Sequence, residues 1–235
     1  MTPASSRQRA QEAEVLRVLA TQPATASFGG RLRKLLTSRA FAVRTVRYLL
    51  HLPMPMETED RRILEQIIFP YFRTLDGVDR ILFVGCDWYT RHYPGMFFAD
   101  KDYWTIDPLP SARRFAGRQH VVGALEQLDA AFPPDHFDLI LCNGVYGFGL
   151  DDRDQCERAF ALCHSRLKGG GHLVIGWDDI PARDPVPLDA IDSLQRFERV
   201  RFPPLGAWRY RTETPYRHTY DFYRKPSAHA AGSRG

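Results

Sequence analysis

The chain has 235 residues, of which 44% are hydrophobic and 26% charged, and this indicates an ordinary soluble globular protein with one main domain. The formal net charge of +4 is too small to predict nucleic-acid binding. The four cysteines form no Cys-x-x-Cys pair, so no metal site is expected, and a reducing, cytoplasmic setting fits them best. No apolar run approaches the roughly 20 residues of a membrane span.

The N-terminal third is helical in pattern. Residues 1–30 are polar and predict a mobile segment with one short helix. Residues 31–76 carry apolar residues at helical spacing, interrupted by the prolines of "LPMPM", and they predict a cap of two helices. Thr58 is the expected N-cap of the second helix, and Pro70 is expected to kink or end it. Residues 226–235 are expected to form a disordered tail.

The pattern changes after Gly77 to short apolar runs that alternate with helical stretches. The runs are "ILFVG" at 81–85, "YWTID" at 103–107, "HVVG" at 120–123, "FDLILCN" at 137–143 and "GHLVIGW" at 171–177. Uninterrupted runs of this kind are typical of parallel strands covered by helices on both faces. Residues 156–171 predict a helix with a glycine stop that leads into the fifth run.

Two later segments alternate as antiparallel strands do. They are "FERVRF" at 197–202 and "YRHTYDFYR" at 216–224. The fold predicted for residues 77–225 is therefore α/β: a doubly wound, seven-stranded sheet with five parallel strands and an antiparallel C-terminal pair.

Four motifs in this order resemble class I S-adenosylmethionine-dependent methyltransferases. They are "ILFVGC" with Asp107 at the end of the second strand, "HVVGALEQL", "FDLILCNGV" and "LKGGGHLVI". The resemblance covers about Val78 to Lys225. It implies a Rossmann-like domain beneath a helical cap and S-adenosyl-L-methionine as cofactor.

The resemblance also implies which residues bind the cofactor. Gly85 ends the first strand and lets the backbone approach the ligand, and Asp107, 22 residues later, can accept hydrogen bonds from two ribose hydroxyls. An alternative for Asp107 is an N-cap of the segment that follows it. The full set is Gly85, Cys86, Asp87, Trp88, Asp107, Pro108, Ala124, Leu125, Asn143, Gly144 and Val145.

Two positions depart from the family pattern. "CDWY" at 86–89 stands where the family has further glycines. In the third-strand loop, Ala124 stands where the family usually has an acid beside adenine. Backbone groups and apolar contacts are one way to hold the base, and Glu126 is another.

Aromatic residues gather in the loops at this edge of the predicted sheet. An aromatic face attracts a cation such as a sulfonium by about 0.5–2 kcal/mol. At least one ring is expected at the methionine end of the cofactor, although any single ring could instead be packing. The candidates are Trp88, Tyr89, Tyr146, Phe148 and Trp177.

Catalysis of methyl transfer needs mainly positioning, and a base only where the acceptor must lose a proton. The predicted catalytic residues are Asn143, Trp177, Tyr89 and His92. Asn143 could bind the amino or carboxylate end of the cofactor or bond to local backbone, and His92 could equally be a surface helix residue. Tyr93, Asp178 and Asp179 are further candidate bases, although the two acids could simply cap a turn.

Three functions fit these patterns. The first is methyl transfer to a small molecule. The second is cyclisation of the cofactor by its own amino group, which yields azetidine-2-carboxylate and methylthioadenosine, and some enzymes of this fold carry out that reaction. The third is a non-catalytic binding module. "CNGV" at 142–145 differs from the motif of DNA amino-methylation. The expected partner is therefore a small molecule or the cofactor alone, without nucleic acid or membrane, for a monomer or homodimer.

Overall fold

The computed structural model describes residues 46–47, 50, 58–181 and 186–227. The chain divides into two compact units, residues 1–54 and 55–235, and nearly all described residues belong to the second. The predicted segment 1–30, nearly all of the first cap helix and residues 228–235 of the predicted tail lie outside the described residues.

The second unit is built on one mixed sheet of eight strands. In spatial order the strands run β3-β2-β1-β4-β5-β8-β6, with β7 also paired to β8. Strands β1 to β5 are parallel, and β8 is antiparallel to β5. The predicted doubly wound α/β sheet is confirmed. The strands are β1 Arg80–Val84, β2 Asp102–Asp107, β3 Gln119–Val122, β4 Phe137–Asn143, β5 Leu167–Asp178, β6 Glu198–Arg199, β7 Arg209–Arg211 and β8 His218–Arg224.

The eighth strand arises because the outermost position of the sheet is interrupted. β6 pairs with the end of β8, where Glu198 lies opposite Arg224, and β7 pairs with its beginning, where Arg211 lies opposite Thr219. Between them the chain makes a short loop closed by the bond from Phe202 N to Ala207 O, 2.9 Å. The prediction of seven strands was therefore one short, since the connector resumes pairing at β7.

The long helix before β5 begins and ends earlier than its sequence pattern predicts. It spans Arg153–Arg166, and the Asp152 carboxylate caps it by accepting hydrogen bonds from two backbone amides. β5 begins at the next residue, so the predicted glycine stop is wrong and the three glycines lie within the strand. A side chain at Gly171 would lie 3.0 Å from Lys168 O and 3.1 Å from Asp138 O, which explains why glycine fits there.

One continuous helical stretch precedes β1. It consists of α1 Glu59–Ile63, a π-helical turn Leu64–Ile68 and α2 Phe69–Thr74. Thr58 precedes the helix with extended backbone, but its side chain makes no capping hydrogen bond among the described residues. Pro70 does not end the helix. Proline lacks the amide that an α-helical bond requires, and the pairing is of the π type in the turn directly before it.

Two apolar layers cover the two faces of the sheet. One includes Leu82, Ile140 and Phe160 and lies on the side of the helix α4, Arg153–Arg166. The other includes Phe69 and Phe83 and lies on the side of α1 and α2. The remaining helices are α3 Tyr93–Met96 and four short 3-10 helices at Pro110–Phe115, Leu125–Ala130, Leu188–Ala190 and Asp192–Arg196.

Candidate functional site

The strand order reverses between β1 and β4. From β1 the chain moves outward to β2 and β3, then returns to β4 on the other side of β1. In an open parallel sheet, the crevice outside the carboxyl ends of the strands at such a point is where ligands bind. Gly85 follows β1 and Asn143 ends β4, so these two predicted residues flank the crevice.

A buried carboxylate ties two loops together on one side of the crevice. Asp107, which is 1% exposed, accepts a hydrogen bond at Oδ2 from Cys86 N and another at Oδ1 from Leu109 N, both 2.8 Å. Gly85 has φ of 86°, a conformation that favours glycine. The bond to Leu109 means that Asp107 does hold the segment after β2. Each carboxylate oxygen can accept more than one hydrogen bond, so this does not conflict with ligand binding.

The aromatic loop after Gly85 forms a compact turn. Asp87 Oδ1 accepts from Trp88 N at 2.6 Å, and Asp87 O accepts from Thr90 N at 3.0 Å. The Trp88 and Tyr89 rings meet edge to face with 5.4 Å between centroids. The polar side chains of this loop therefore replace the flexibility of the expected glycines with a fixed turn.

A buried arginine covers one face of Tyr89. The guanidinium carbon of Arg61 lies 4.2 Å from the Tyr89 ring centroid, and Arg61 donates to the Tyr93 hydroxyl at 2.6 Å. The Tyr93 hydroxyl donates in turn to Glu65 at 3.0 Å, and burial raises the pKa of Tyr93, which keeps the hydroxyl protonated, so that it does not serve as a base. Arg61 was not predicted as a site residue, because an arginine on an amphipathic helix usually faces solvent.

His92 belongs to the same buried group. It is 4% exposed and packs against Tyr93 and Phe97, with its Nε2 3.9 Å from a carboxylate oxygen of Glu65. The alternative of a surface helix residue is therefore wrong for His92. His92 immediately precedes the short helix Tyr93–Met96 that follows β1.

The third-strand loop is held by its own backbone and one amide side chain. Ala124 precedes the 3-10 helix Leu125–Ala130, and Ala124 N donates to Gln127 Oε1 at 3.3 Å. Leu125 lies in the apolar layer on the α4 side, and Glu126 accepts a hydrogen bond through its backbone oxygen from Arg158. Ala124, the neighbouring backbone and the Glu126 side chain are thus the parts of this loop that could contact a base.

Three polar side chains meet on the other side of the crevice. The Asn143 Oδ1 atom lies 3.2 Å from His218 Nε2, and His218 Nδ1 lies 2.7 Å from Asp178 Oδ1. They come from the ends of β4 and β5 and the first residue of β8. Asn143 and Asp178 were predicted as site candidates. His218 was missed, because its contact with Asn143 spans 75 residues of sequence and no local motif indicates it.

Gly144 and Val145 continue from Asn143 around a tight turn. Gly144 has φ of 71°, and its N donates to Gly176 O at 2.9 Å. Val145 O accepts from Phe148 N at 2.9 Å. Tyr146 is buried in the apolar layer with its hydroxyl donating to Val186 O, so its ring serves packing.

Trp177 and Asp179 have partners outside this polar group. The Trp177 indole donates at 2.8 Å to Asp221, which is 0% exposed and also bonded to Arg209 at 2.7 Å. Burial raises the pKa of Asp221, and these two hydrogen bonds act against that rise. Burial acts to raise the pKa of Asp179 also, but hydrogen bonds from Arg217 and Arg211 outweigh it and lower that pKa.

Two further features are absent from the described residues. Over the described parts of the chain, no group of three or more His, Cys, Asp or Glu side chains is arranged to hold a metal ion. Within the same residues, no helix has the length and apolarity needed to cross a bilayer.

No family model matches the sequence, and no curated protein matches it. Among solved structures, the chain is similar to the N-methyltransferase NodS from Bradyrhizobium japonicum WM9, with a TM-score of 0.55 and 18% identity over 73% of this chain and 100% of that chain. A second NodS structure, in complex with S-adenosyl-L-homocysteine, gives 0.52 and 18% over 92% of this chain and 98% of that chain. At this level of identity the likeness establishes a shared fold.

Proposed function

We propose that this chain, which has the class I methyltransferase fold, binds S-adenosylmethionine and transfers its methyl group to a small molecule. The observation that carries the proposal is the pairing of Asp107 with Cys86 N at the crevice between β1 and β4. It joins a ribose-type acceptor to a glycine-containing loop at the point of the fold where ligands bind.

The nucleoside half of the cofactor would lie along the ends of β1, β2 and β3. Asp107 accepts a backbone bond at each oxygen, and a carboxylate oxygen can accept more than one hydrogen bond, which suits ribose hydroxyls. Gly85 leaves room for close approach of the ligand, and Ala124 leaves the adenine edge to backbone groups. The absence of an acid at Ala124 is compatible with this arrangement because backbone amides and carbonyls can also form hydrogen bonds with adenine.

The methionine half would extend towards Asn143. The Trp88 and Tyr89 rings lie in the loop after Gly85, and an aromatic face stabilises a nearby cation. One face of Tyr89 already contacts the Arg61 guanidinium, so Trp88 is the better candidate for the sulfonium. Asn143 would orient the amino or carboxylate group.

Methyl transfer here is an in-line displacement. A lone pair of the acceptor attacks the methyl carbon while the carbon–sulfur bond breaks, and its electron pair stays on sulfur as a neutral thioether. The protein contributes mainly by aligning the two reactants and by excluding water. The acceptor is the component for which the sequence offers no motif.

Cyclisation of the cofactor by its own amino group is the second candidate. The polar cluster of Asn143, His218 and Asp178 supports it, because this cluster would face the amino end of the cofactor and could make that nitrogen the nucleophile. The nitrogen would attack the γ-carbon of the methionyl chain, and methylthioadenosine would leave with the electron pair of the broken bond.

We also propose a cytoplasmic location and action as a monomer or homodimer without nucleic acid. The four cysteines support the location, since Cys86, Cys142, Cys156 and Cys163 form no disulfide and are all buried. A reducing compartment keeps thiols in this state.

The test begins with calorimetry of the full chain with S-adenosylmethionine. No binding would overturn both enzymatic proposals and the binding module with them. The protein is then incubated with the cofactor alone and with a panel of small amines, phenols and thiols, and products are followed by mass spectrometry. S-adenosylhomocysteine that needs an added acceptor supports methyl transfer, and methylthioadenosine without one supports cyclisation. Binding with neither product supports the non-catalytic module.

A further inference from the structure

We infer that His218, oriented by Asp178, is a general base that removes a proton from a nucleophilic nitrogen beside Asn143, so that the substrate class is an amine protonated at neutral pH. The inference rests on the proposed function, because it assigns the nucleophile that attacks the bound sulfonium. It adds a residue from the last strand of the sheet, which no sequence motif indicates.

The geometry is that of an oriented imidazole. His218 is 7% exposed, its Nδ1 lies 2.7 Å from Asp178 Oδ1, and its Nε2 lies 3.2 Å from Asn143 Oδ1. A carboxylate at Nδ1 holds the ring in the tautomer whose Nε2 can accept a proton. A base whose other nitrogen is fixed in this way is a recurring arrangement in enzymes that activate nucleophiles.

The arrangement depends on a glycine. A Cβ built at Gly176 would lie 2.0 Å from Asn143 Oδ1 and 3.0 Å from His218 Nε2. The Asn143 side chain therefore crosses the backbone of β5 through space that only glycine leaves open, and there it meets His218. Any other residue at Gly176 would separate the two side chains.

The Asn143 amide can hydrogen-bond to His218 in both protonation states of the imidazole. The amide presents an oxygen to a protonated imidazole, and after a half-turn it presents its NH₂ group to the lone pair of a neutral one. In either orientation the second amide atom remains available to a ligand. Asn143 thereby holds the substrate nitrogen beside His218, and the ammonium takes the place of the amide at Nε2 when its proton is transferred.

The surroundings of His218 leave Asp178 as its charged partner. His218 N lies 3.3 Å from Thr214 Oγ1, and the Tyr220 ring lies 4.9 Å from the imidazole. Burial raises the pKa of Tyr220, which keeps it neutral. The neighbouring Asp179 is bonded to two arginines instead.

The need for a base selects the substrate class. An α-ammonium group has a pKa near 8 and is therefore mostly protonated at neutral pH, whereas a hydroxyl group is a far weaker acid. Histidine is the side chain that most often acts as a general base in enzymes. An amine must also lose this proton before it has a lone pair to attack with.

The step balances without a further reactant. His218 Nε2 takes the proton from the ammonium, and the freed lone pair forms a nitrogen–carbon bond while the carbon–sulfur bond breaks and its pair remains on sulfur. The imidazolium then returns its proton to water. Two sources supply such a nitrogen: a separate amine, which takes the methyl carbon, or the α-amino group of the cofactor, which takes its own γ-carbon.

The test compares His218→Gln and His218→Ala with wild type under the conditions in which wild type forms product. We expect affinity for S-adenosylmethionine to stay within about threefold, and turnover to fall by about 100-fold or more, the usual contribution of a general base. Added imidazole is expected to raise the turnover of His218→Ala at least about tenfold. A variant that had lost a merely structural histidine would not respond to imidazole. His172→Gln is the matched control, since His172 lies in the middle of β5, away from Asp178 and against Phe72.

The positioning role of Asp178 is tested in the same assay. Asp178→Asn is expected to lower turnover by about tenfold or more, because the ring loses its fixed tautomer, while Asp179→Asn is expected to leave it nearly unchanged.

Several outcomes would overturn the inference. These are near wild-type turnover in His218→Gln, failure of imidazole to restore a folded His218→Ala that binds the cofactor, and product only with phenols or thiols. If His218→Ala does not fold, the results for His218→Gln and Asp178→Asn decide whether the inference holds.

The products also identify the source of the nitrogen. Methylthioadenosine formed from the cofactor alone identifies the cofactor's own amine as the source, and a requirement for an added amine identifies a separate one. A wild-type chain that does not bind S-adenosylmethionine would instead overturn the proposed function itself.

Discussion

The two sides of the crevice are built differently. On the β1–β2 side, the nucleoside side, Asp107 joins two loops through backbone amides, and the residues involved, Gly85 to Leu109, lie within 24 positions of one another. On the β4–β5–β8 side, the methionine side, three side chains bond to one another, and the contact of Asn143 with His218 spans 75 positions. The first side is local in sequence, and the second exists only once β8 has returned beside β5.

This difference separates binding from chemistry. A carboxylate and backbone amides form a rigid receptor that needs no change of state. A histidine between a carboxylate and an amide can gain or lose a proton, which suits a reacting centre. We therefore expect substitutions on the nucleoside side to weaken cofactor binding and substitutions on the methionine side to lower turnover.

The largest effect is expected for Asp107→Ala. The change removes the acceptor for Cys86 N and Leu109 N together with the proposed ribose contact. Hydrogen bonds to a charged group contribute about 1.5–3 kcal/mol, so loss of the ribose contacts predicts a rise in the dissociation constant for S-adenosylmethionine of about 100-fold, measured by calorimetry.

The matched control is Asp102→Ala at the other end of β2, where the carboxylate bonds to Arg80 and Gln119. It should keep cofactor affinity within about threefold. Equal losses in the two variants would indicate that Asp107 acts only through the stability of the sheet, and unchanged affinity in Asp107→Ala would remove it from the binding site.

The nucleoside side was the more predictable from sequence for a physical reason. A buried parallel strand is a short apolar run, and the residue at its carboxyl end lies in the crevice by topology alone, as Gly85, Asp107 and Asn143 do. The runs themselves predicted β1 to β4 within one residue at each end.

The rest of the candidate site and some element boundaries could not be predicted from the sequence because they depend on tertiary contacts. Arg61 is buried under Tyr89 although its sequence pattern is that of a surface helix, and His218 bonds to Asn143 only through the pairing of β8 with β5. The glycines before the fifth apolar run predicted the end of a helix. They lie in the strand instead, where Gly171 packs too closely against neighbouring backbone oxygens to carry a side chain. Such contacts override local propensity.

A smaller effect, confined to the methionine side, is expected for Gly176→Ala. The added methyl group would displace Asn143, whose Oδ1 lies 2.0 Å from the ideal Cβ position, and would press on His218. We expect turnover to fall by about 10- to 100-fold and the free energy of unfolding by about 1–3 kcal/mol, as overpacking does. Cofactor affinity should change by less than turnover does.

Gly95→Ala is the control for a glycine substitution as such, since among the described residues only its chain neighbours and its own helix lie near its added Cβ. It should leave turnover unchanged, and any change in stability should be a small gain, because alanine favours a helix more than glycine does. Normal turnover in a folded Gly176→Ala would show that contact between Asn143 and His218 is dispensable. It would indicate that the methionine side, like the nucleoside side, binds the cofactor without taking part in proton transfer.

The smallest effect on turnover is expected for Trp177→Phe, which tests where the methionine side ends. The Trp177 indole donates to the buried Asp221 and its ring lies 5.5 Å from that of Tyr146, so its contacts belong to the apolar layer. Loss of the indole N–H leaves a buried carboxylate with one donor fewer, and we expect the free energy of unfolding in urea to fall by about 1–3 kcal/mol. Turnover should stay within about threefold.

The control is Trp208→Phe, at an exposed ring that contacts the guanidinium groups of Arg199 and Arg209, and it should change stability by less than about 0.5 kcal/mol. If Trp177→Phe instead lowers turnover more than tenfold at unchanged stability, Trp177 acts with Asn143 in the reaction, and the reacting centre extends across β5 to both faces of the sheet.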